Sequence, residues 1–375
     1  MINYFPTQLA RGKAFCNRTN ELKRLRHDIE SVTPSLIISP RRYGKTSLAL
    51  NAFERTKWPY VHVDLYKAFS EEDVERFLLK GIASLLSKLE KTPKRLIALA
   101  ADFFSNLHVS VSIGKEGLQL DFKRKKTSPV DTILKSLEHL HELAKTRNTK
   151  VILYLDEFQV VGQVCKNYTI EAAVREVAQK SEFISFVFSG SDRHLIEQLF
   201  NDKKRPFYHL CDTITLKRIS ASDYTKHLKK AAMHQWNTEL PDTAMGRILH
   251  HTERHAYYFN KLSSLLWLQD ALPSAEDVTS TWMSFVAENK SLLERELALL
   301  TINQRRMLLQ LAEHDAVKEP FGKAFLADSK LSGSTASMVM KVLIERDYVF
   351  IDEAGLYRVL DPLMKSVLAD TKNTI

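Results

Sequence analysis

Cysteine is scarce in this sequence, and its spacing excludes two kinds of small structural site. The three cysteines, Cys16, Cys165 and Cys211, lie far apart and form no CxxC pair. A zinc knuckle needs paired ligands a few residues apart, and a disulfide framework needs an even set of cysteines. We therefore expect three ordinary reduced thiols.

Long apolar runs are also missing. No stretch approaches the roughly 18 apolar residues that a membrane-spanning helix needs. The opening MINYFPTQLARGK has no apolar segment like that of a secretory signal peptide. The sequence therefore predicts no membrane partner and a cytoplasmic location.

Basic residues are in excess, with 54 Lys and Arg against 45 Asp and Glu and a formal net charge of +9. This excess favours anionic partners, either nucleotides or nucleic acid, although many basic proteins bind neither. At 375 residues the chain is also too long for one ordinary hydrophobic core. We expect two or three domains.

Short segments rich in β-branched and aromatic residues alternate with helix-like stretches in the first half. Continuous apolar runs are typical of strands buried on both faces, as in a parallel sheet covered by helices. An α/β fold is therefore predicted, with a helix over 132–145 leading into the third strand. The predicted strands are 35–39, 60–65, 151–156, 184–190 and 213–216.

Residues 109–122, VSVSIGKEGLQLDF, break this alternation and predict an inserted β-hairpin. The run KRKK (123–126) that follows is either a solvated charge cluster or a contact for an anion.

The second half is helix-rich and ends in a different pattern. An amphipathic helix, NQRRMLLQLAEH, precedes a polar turn and a second helix in LSGSTASMVMKVLIERD, and YVFIDEAGLYRVLDP then alternates around a glycine. A helix, a turn, a helix and a hairpin are typical of a winged helix. We predict an α/β domain over 1–217, a helical domain over 218–297 and a winged-helix domain over 298–375.

Residues 38–48, ISPRRYGKTSL, have the features of a phosphate-binding loop. A strand ends in a tight turn, and Gly44-Lys45-Thr46-Ser47 follows at a predicted helix start, where backbone N–H groups and the positive helix end would face phosphates. Lys45 would reach the β- and γ-phosphates, and the Thr46 hydroxyl would bind Mg²⁺. The predicted nucleotide-binding residues of this loop are Ser39, Pro40, Arg41, Arg42, Tyr43, Gly44, Lys45, Thr46 and Ser47.

Ser39 departs from the usual GxxxxGK[ST] pattern, because it stands where the first glycine is expected. Serine accepts a positive φ less readily than glycine. A second motif is therefore needed to support the interpretation.

Residues 151–159, VILYLDEFQ, supply that motif as a Walker B strand. Asp156 would hold Mg²⁺ through water, and Glu157 would polarise the attacking water, so Glu157 and Lys45 are the predicted catalytic residues. The alternative is a buried strand that ends in two solvated acids.

A further strand ends in Ser189-Gly190-Ser191, and in such sheets it lies between the two Walker strands. Either serine could orient the water, or both could simply form a turn.

Together these segments resemble the archaeal-type ATPases of the signal-transduction ATPase (STAND) class, relatives of the AAA+ and origin-recognition ATPases. The resemblance covers nearly the whole chain. It implies a P-loop NTPase with a five-stranded parallel sheet of the additional-strand, catalytic-glutamate type, a helical lid and a C-terminal winged helix, with ATP and Mg²⁺ as cofactors. It is carried by FCNRTNEL (15–22), ISPRRYGKTSL (38–48), YLDEFQ (154–159), FSGSDRHLIEQLF (188–200) and TERHAYYFNKL (252–262).

The resemblance also implies roles for residues outside the two Walker motifs. Arg18 would contact the nucleotide or fix the start of the first helix, while Arg41 and Arg42 would offer charge to phosphates or to a neighbouring domain, or lie at the surface. His255 matches a lid histidine and would sense the phosphates when the lid closes, with Arg254 as a conceivable substitute.

Two departures accompany these roles. The lid reads Glu-Arg-His-Ala (253–256) where the family has Gly-Gly-His/Asn-Pro, which puts the shape of the loop in doubt. No arginine finger is identified, and Arg205 is interpreted as a surface charge.

The sequence therefore predicts a slow or partner-stimulated ATPase that acts as a switch. Its nucleotide state would reposition the lid and the winged helix to control a protein partner or self-association. The alternatives are an ATP-controlled DNA-binding protein and a nucleotide-binding scaffold without turnover. The second winged-helix helix offers only Lys341 for DNA, and Asp352 and Glu353 at the wing tip would repel phosphates.

Overall fold

The computed structural model describes residues 3–107, 109–114, 117–122, 128–165 and 167–372. These residues pack into two compact units. The sheet unit contains the described residues of 18–41 and 45–216, and the C-terminal unit contains those of 1–17, 42–44 and 217–375. The three domain boundaries predicted from the sequence stay a prediction.

The sheet unit alternates strands and helices, as the apolar segments predict. Its strands, in chain order, are β1 (Ser35–Ile38), β2 (Tyr60–Asp64), β3 (Val109–Gly114), β4 (Gly117–Phe122), β5 (Val151–Asp156), β6 (Ile184–Gly190) and β7 (Asp212–Thr215). Its α-helices are α1 (Thr19–Glu30), α2 (Lys45–Thr56), α3 (Glu71–Leu89), α4 (Pro93–Phe104), α5 (Pro129–Thr146), α6 (Gln159–Val164), α7 (Thr169–Lys180) and α8 (Arg193–Asn201).

Five of these strands form one parallel sheet in the order β2-β5-β6-β1-β7. Every residue of β5 and β6 is buried, which explains their uninterrupted apolar sequences. The five predicted strands are confirmed, and β6 lies between β5 and β1 as predicted. Because the strands are parallel, the carboxyl ends of β1, β5 and β6 meet at one edge of the sheet.

The predicted inserted hairpin is confirmed. Strands β3 and β4 pair antiparallel, with Val109 opposite Phe122 and Gly114 opposite Gly117. The basic run 123–126 lies outside the described residues. The helix predicted over 132–145 is α5, which begins three residues earlier because Ser128 caps it by accepting from the backbone N–H of Val130.

The C-terminal unit is helical and contains a small hairpin before its last helix. Its core contains the buried rings of Tyr224, Phe259 and Trp282. The hairpin turns at Gly355, whose φ of +75° is a conformation that favours glycine. Its elements are α9 (Ala221–Trp236), α10 (Asp242–Thr252), α11 (Ala256–Leu266), α12 (Ala275–Ala298), α13 (Ile302–Glu313), α14 (Lys323–Ser329), α15 (Gly333–Glu345), β8 (Val349–Ile351), β9 (Tyr357–Val359) and α16 (Pro362–Lys372).

Within the described residues, no helix combines the length and the apolar composition that crossing a membrane requires.

Candidate nucleotide-binding site

The candidate phosphate loop connects β1 to α2, as the sequence predicts. Gly44 has a φ of +93°, and a Cβ atom built there would meet no atom within 4 Å, so the backbone conformation rather than crowding calls for glycine. Ser39 is buried and its Oγ donates to the carbonyl of Pro40 at 3.0 Å. Ser39 is not among the described residues with positive φ. The expected conformational cost of replacing the first glycine is therefore absent.

Lys45 and Thr46 begin helix α2 at the end of this loop. The buried Lys45 ammonium donates to the carbonyl of Ser39 at 3.2 Å. Thr46 Oγ1 donates to Asp156 Oδ2 across the sheet edge at 3.1 Å, and Ser47 is buried in the first turn of α2. A threonine hydroxyl beside a carboxylate is an oxygen pair of the kind that Mg²⁺ prefers, so these residues fit the predicted metal.

Asp156 is held in its ionised form. Burial alone would raise its pKa, but hydrogen bonds from His62 and Ser189, with the positive charge of Lys45, outweigh burial and lower the pKa to about 2. Its Oδ1 accepts from Ser189 Oγ and from the backbone N–H of Glu157. Ser189 is itself bonded to the Tyr154 hydroxyl at 2.8 Å. The carboxylate is thus charged and fixed at neutral pH.

Glu157 lies at the turn that follows β5, with a φ of +54°. Its Oε2 accepts from Gln159 Nε2 at 2.6 Å, from Ser191 Oγ at 2.7 Å and from the Ser191 backbone N–H at 3.2 Å. Arg41 Nε donates to the same Ser191 hydroxyl at 3.4 Å. The two predicted serines therefore hold different acids: Ser189 contacts Asp156 and Ser191 contacts Glu157.

Arg18 lies at the start of α1 with a φ of +62°. Its side chain is 5% exposed, and Nη1 is 3.1 Å from Glu21 Oε1 in the first turn of the helix. This contact fits the interpretation of Arg18 as the residue that fixes the helix start. The alternative contact with nucleotide stays a prediction.

Arg42 and Tyr43 of the phosphate loop pack within the C-terminal unit. The Tyr43 ring lies 4.8 Å from the His255 ring in a T-shaped contact, and its hydroxyl accepts from Arg218 Nε at 3.4 Å. The Arg42 guanidinium lies 4.3 Å from the centre of the Tyr257 ring.

His255 is neutral at physiological pH in this setting. Burial, followed by the charges of Arg218 and Arg42, lowers its pKa to about 3. Its Nδ1 has no hydrogen-bond partner among the described residues. A role in phosphate sensing would therefore depend on hydrogen bonding rather than on positive charge.

The loop at 253–256 departs from Gly-Gly in sequence, yet its first two residues have positive φ. Glu253 has a φ of +43° and Arg254 a φ of +62°, the left-handed conformations in which glycine is favoured. The Glu253 carboxylate accepts from Arg218 Nη1 at 2.6 Å and from Lys365 Nζ at 2.7 Å. The two ion pairs hold the Glu253 side chain in place within this loop.

The interpretation of Arg205 as a surface charge was wrong. Its side chain is 14% exposed, and Nη1 lies 2.5 Å from an oxygen of Glu171, which is completely buried. The guanidinium also stacks 4.2 Å from the Tyr168 ring. The ion pair with the buried Glu171 on α7 explains why Arg205 is largely buried, and the sequence around Arg205 does not reveal this partner.

Sequence reasoning missed three residues that contact the site. Gln159 follows Glu157 by two positions and could have been found from that spacing. His62 lies on β2, with Nε2 at 3.1 Å from Asp156 Oδ2, and could be suspected only after β2 was placed beside β5. Arg218 contacts residues far away in sequence and leaves no local signal.

Comparison with known proteins supports the fold. A family model described as a probable winged helix domain matches residues 292–370. No curated protein sequence matches the chain significantly.

Similar solved structures extend over the whole chain. A Walker-type ATPase of Pyrococcus abyssi superposes with a TM-score of 0.69 at 17% identity, covering 97% of this chain and 99% of that one. The ORC2 protein of Aeropyrum pernix, in its ADPNP–ADP complexes, gives a TM-score of 0.59 at 12% identity, with 99% and 98% covered. The predicted fold and the resemblance to these archaeal ATPases are confirmed, while assignment to the STAND class stays a prediction. The chain therefore has the fold of the Walker-type ATPase and the ORC2 protein, and its residues 292–370 match the winged-helix domain model.

Proposed function

We propose that this protein binds ATP with Mg²⁺ and hydrolyses it, slowly or on stimulation by a partner. The observation that carries the proposal is the contact of Thr46 Oγ1 with Asp156 Oδ2 at 3.1 Å, with Glu157 held beside it. The two Walker motifs, 110 residues apart, thereby form one site. The ADPNP–ADP complexes of the similar ORC2 protein support an adenine nucleotide as the ligand class.

Each polar group of this site has a distinct task in the proposed reaction. Lys45 neutralises charge on the β- and γ-phosphates, and the N–H groups at the start of α2 donate to phosphate oxygens. Thr46 and Asp156 hold the metal. When bound there, Mg²⁺ would supply neutralisation of the negative charge on the phosphates.

Glu157 acts as the general base in this proposal. A base must lie within hydrogen-bond reach of the water that it activates, in a fixed orientation. Ser191 and Gln159 provide that orientation through three hydrogen bonds to one oxygen of the carboxylate, Oε2. The other oxygen, Oε1, is assigned to the attacking water.

The switch function is supported by Arg218. This arginine is 9% exposed and donates to Tyr43 of the phosphate loop, to Glu253 of the lid loop and to the carbonyl of Leu360 in the winged-helix segment. A nucleotide that alters the phosphate loop would therefore shift the equilibrium of all three segments. The segment released by that shift would contact a protein partner or a second copy.

ATP-controlled DNA binding is the second candidate, favoured by the winged-helix match. Helix α15 exposes mainly small or apolar residues, among them Ser334, Ser337 and Met338, and Lys341 lies 3.9 Å from Glu345. At the wing tip, Glu353 is 75% exposed. This face has few donors for base edges and carries an acid that repels phosphates, so it supports DNA binding less well than partner control.

The test measures Mg²⁺-dependent phosphate release from ATP, together with binding of a fluorescent ATP analogue. We expect Glu157→Gln to reduce turnover by roughly 10²–10⁴-fold with binding retained, because it removes the base but keeps the size of the side chain. Glu182→Gln makes the same change at an exposed position and should match the wild type. Lys45→Ala should weaken binding itself.

Duplex DNA at low salt forms a second arm of the same experiment. Stimulation of turnover by DNA, together with salt-dependent binding, would favour the second candidate. Turnover in Glu157→Gln equal to the wild type would exclude Glu157 as the base. Failure of the wild type to bind any nucleotide would refute the proposed function.

A further inference from the structure

His62 is a nitrogen donor at the edge of the proposed metal site. Its position on β2 pairs with Tyr154 on β5, and the two rings stack at 4.7 Å with an angle of 18° between their planes. This stacking directs Nε2 to within 3.1 Å of Asp156 Oδ2. The His62 side chain is 31% exposed, whereas that of Asp156 is 9% exposed.

The two oxygens of Asp156 have different neighbours. Oδ1 is occupied by Ser189 Oγ and the backbone N–H of Glu157. Oδ2 faces Thr46 Oγ1 and His62 Nε2, each at 3.1 Å. Oδ2 is therefore the oxygen available to a cation, and it lies between a hydroxyl and an imidazole.

These separations match an octahedral coordination sphere. Two neighbouring ligands of an octahedral cation with bonds of about 2.1 Å lie about 3.0 Å apart. Thr46 Oγ1 and His62 Nε2 both lie near that distance from Asp156 Oδ2. Binding requires that the imidazole proton move to Nδ1, which leaves the Nε2 lone pair free, and that the Thr46 hydroxyl turn its proton away from Asp156 Oδ2.

We infer that His62 is a third protein ligand of the divalent cation, beside Thr46 and Asp156, with Asp156 Oδ2 bound directly rather than through water as the sequence predicts. The inference rests on the proposed function and concerns which divalent ions the site binds best. Mg²⁺ binds oxygen ligands and retains water, whereas first-row transition ions accept imidazole readily. The His62 nitrogen should thus raise the affinity of the site for Mn²⁺ more than its affinity for Mg²⁺.

Pulsed electron paramagnetic resonance of bound Mn²⁺ tests this directly. We expect ¹⁴N modulation from a coordinated imidazole in the wild type, replaced by ¹⁵N modulation after labelling with ¹⁵N-histidine. His62→Phe keeps a ring to stack on Tyr154 but removes the nitrogen, and should abolish the signal. His27→Phe, at an exposed position of α1, should retain it and so excludes adventitious histidine binding.

Metal affinities give a second readout. Titration of free Mn²⁺, alone and with ADP, should show binding weakened about tenfold or more in His62→Phe, while Mg²⁺ affinity changes much less. Equal Mn²⁺ affinity in His62→Phe and the wild type, with no nitrogen coupling, would overturn the inference.

The two proposals can fail separately. If ADP binds but bound Mn²⁺ shows no nitrogen coupling, the proposed function is retained and His62 is not a metal ligand. Nitrogen coupling that depends on His62, in a protein that binds no nucleotide, keeps the metal ligand and refutes the ATPase. Absence of Mn²⁺ binding both with and without ADP overturns the assignment of His62.

Discussion

At the residue scale, the buried Glu171 has a raised pKa that makes the stability of the protein depend on pH. Burial raises its pKa from the usual 4.5 to about 7, although the nearby Arg205 charge and hydrogen bond act in the opposite direction. The native protein therefore holds a proton on Glu171 up to about pH 7, whereas the unfolded chain releases it near pH 4.5. The contribution of Glu171 to stability is present at low pH and is lost as pH rises through about 7.

Replacing Glu171 with glutamine should flatten the pH dependence of stability. Relative to the wild type, Glu171→Gln should gain up to about 3 kcal/mol in unfolding free energy between pH 5 and pH 8, because glutamine cannot ionise. Urea unfolding at both pH values measures this gain. The exposed Glu182→Gln should leave the wild-type slope unchanged, and an unchanged slope in Glu171→Gln would contradict the assignment.

Some individual site residues could be predicted from the sequence and others could not. Lys45, Thr46 and Asp156 belong to local motifs whose chemistry depends on chain neighbours, so they could be predicted. His62 contacts Asp156, which lies 94 positions away in sequence. Arg218 contacts residues that lie at least 35 positions away. Such contacts are created by folding and are not encoded in local spacing.

At the scale of elements, the loop between α10 and α11 contains two neighbouring residues with similar backbone conformations but different side-chain contacts. Glu253 and Arg254 share the left-handed conformation that favours glycine. Glu253 bonds to Arg218 and Lys365, whereas Arg254 is exposed. The two neighbouring positions therefore have the same backbone requirement and different side-chain roles.

Glycine substitutions at these positions should have opposite effects. Arg254→Gly should leave stability unchanged or raise it by up to about 1 kcal/mol, because it relieves an unfavourable φ. Glu253→Gly should destabilise by about 3 kcal/mol, since it leaves the Arg218 charge without its carboxylate. Chemical unfolding followed by tryptophan fluorescence measures both variants, and equal effects would contradict this assignment of roles.

Most elements could be predicted, with exceptions of two kinds. The sheet strands are buried on both faces, which produces the apolar runs that identify them. Helices α14 and α16 were not predicted. Helix α14 has only seven residues, too few for a long periodic pattern. Helix α16 carries buried apolar residues at helical spacing, namely Leu363, Met364, Val367 and Leu368, and could have been predicted from them.

At the scale of the whole molecule, the first residues of the chain pack with the C-terminal helices. The Phe5 ring is 2% exposed and makes T-shaped contacts with His227, Phe259 and Trp267. His227 Nε2 lies 3.1 Å from the carbonyl of Tyr4. The N-terminal segment is therefore part of the core of the C-terminal unit.

Phe5→Ala should destabilise the C-terminal unit by about 3–5 kcal/mol, because it removes a buried ring and leaves a cavity. Tryptophan fluorescence reports this unfolding, since Trp236, Trp267 and Trp282 lie in that unit. Leu9→Ala serves as the control because Leu9 is 43% exposed and its loss should cost little. A Phe5→Ala variant as stable as Leu9→Ala would show that the N-terminal segment does not support the unit.

This arrangement has a consequence for synthesis in the cell. Phe5 is synthesised 262 residues before Trp267, whose ring it contacts. At about 5–20 residues per second, that interval is roughly 10–50 s. The buried face of Phe5 stays without its native partners during this time, so the nascent chain presents an early target for chaperones.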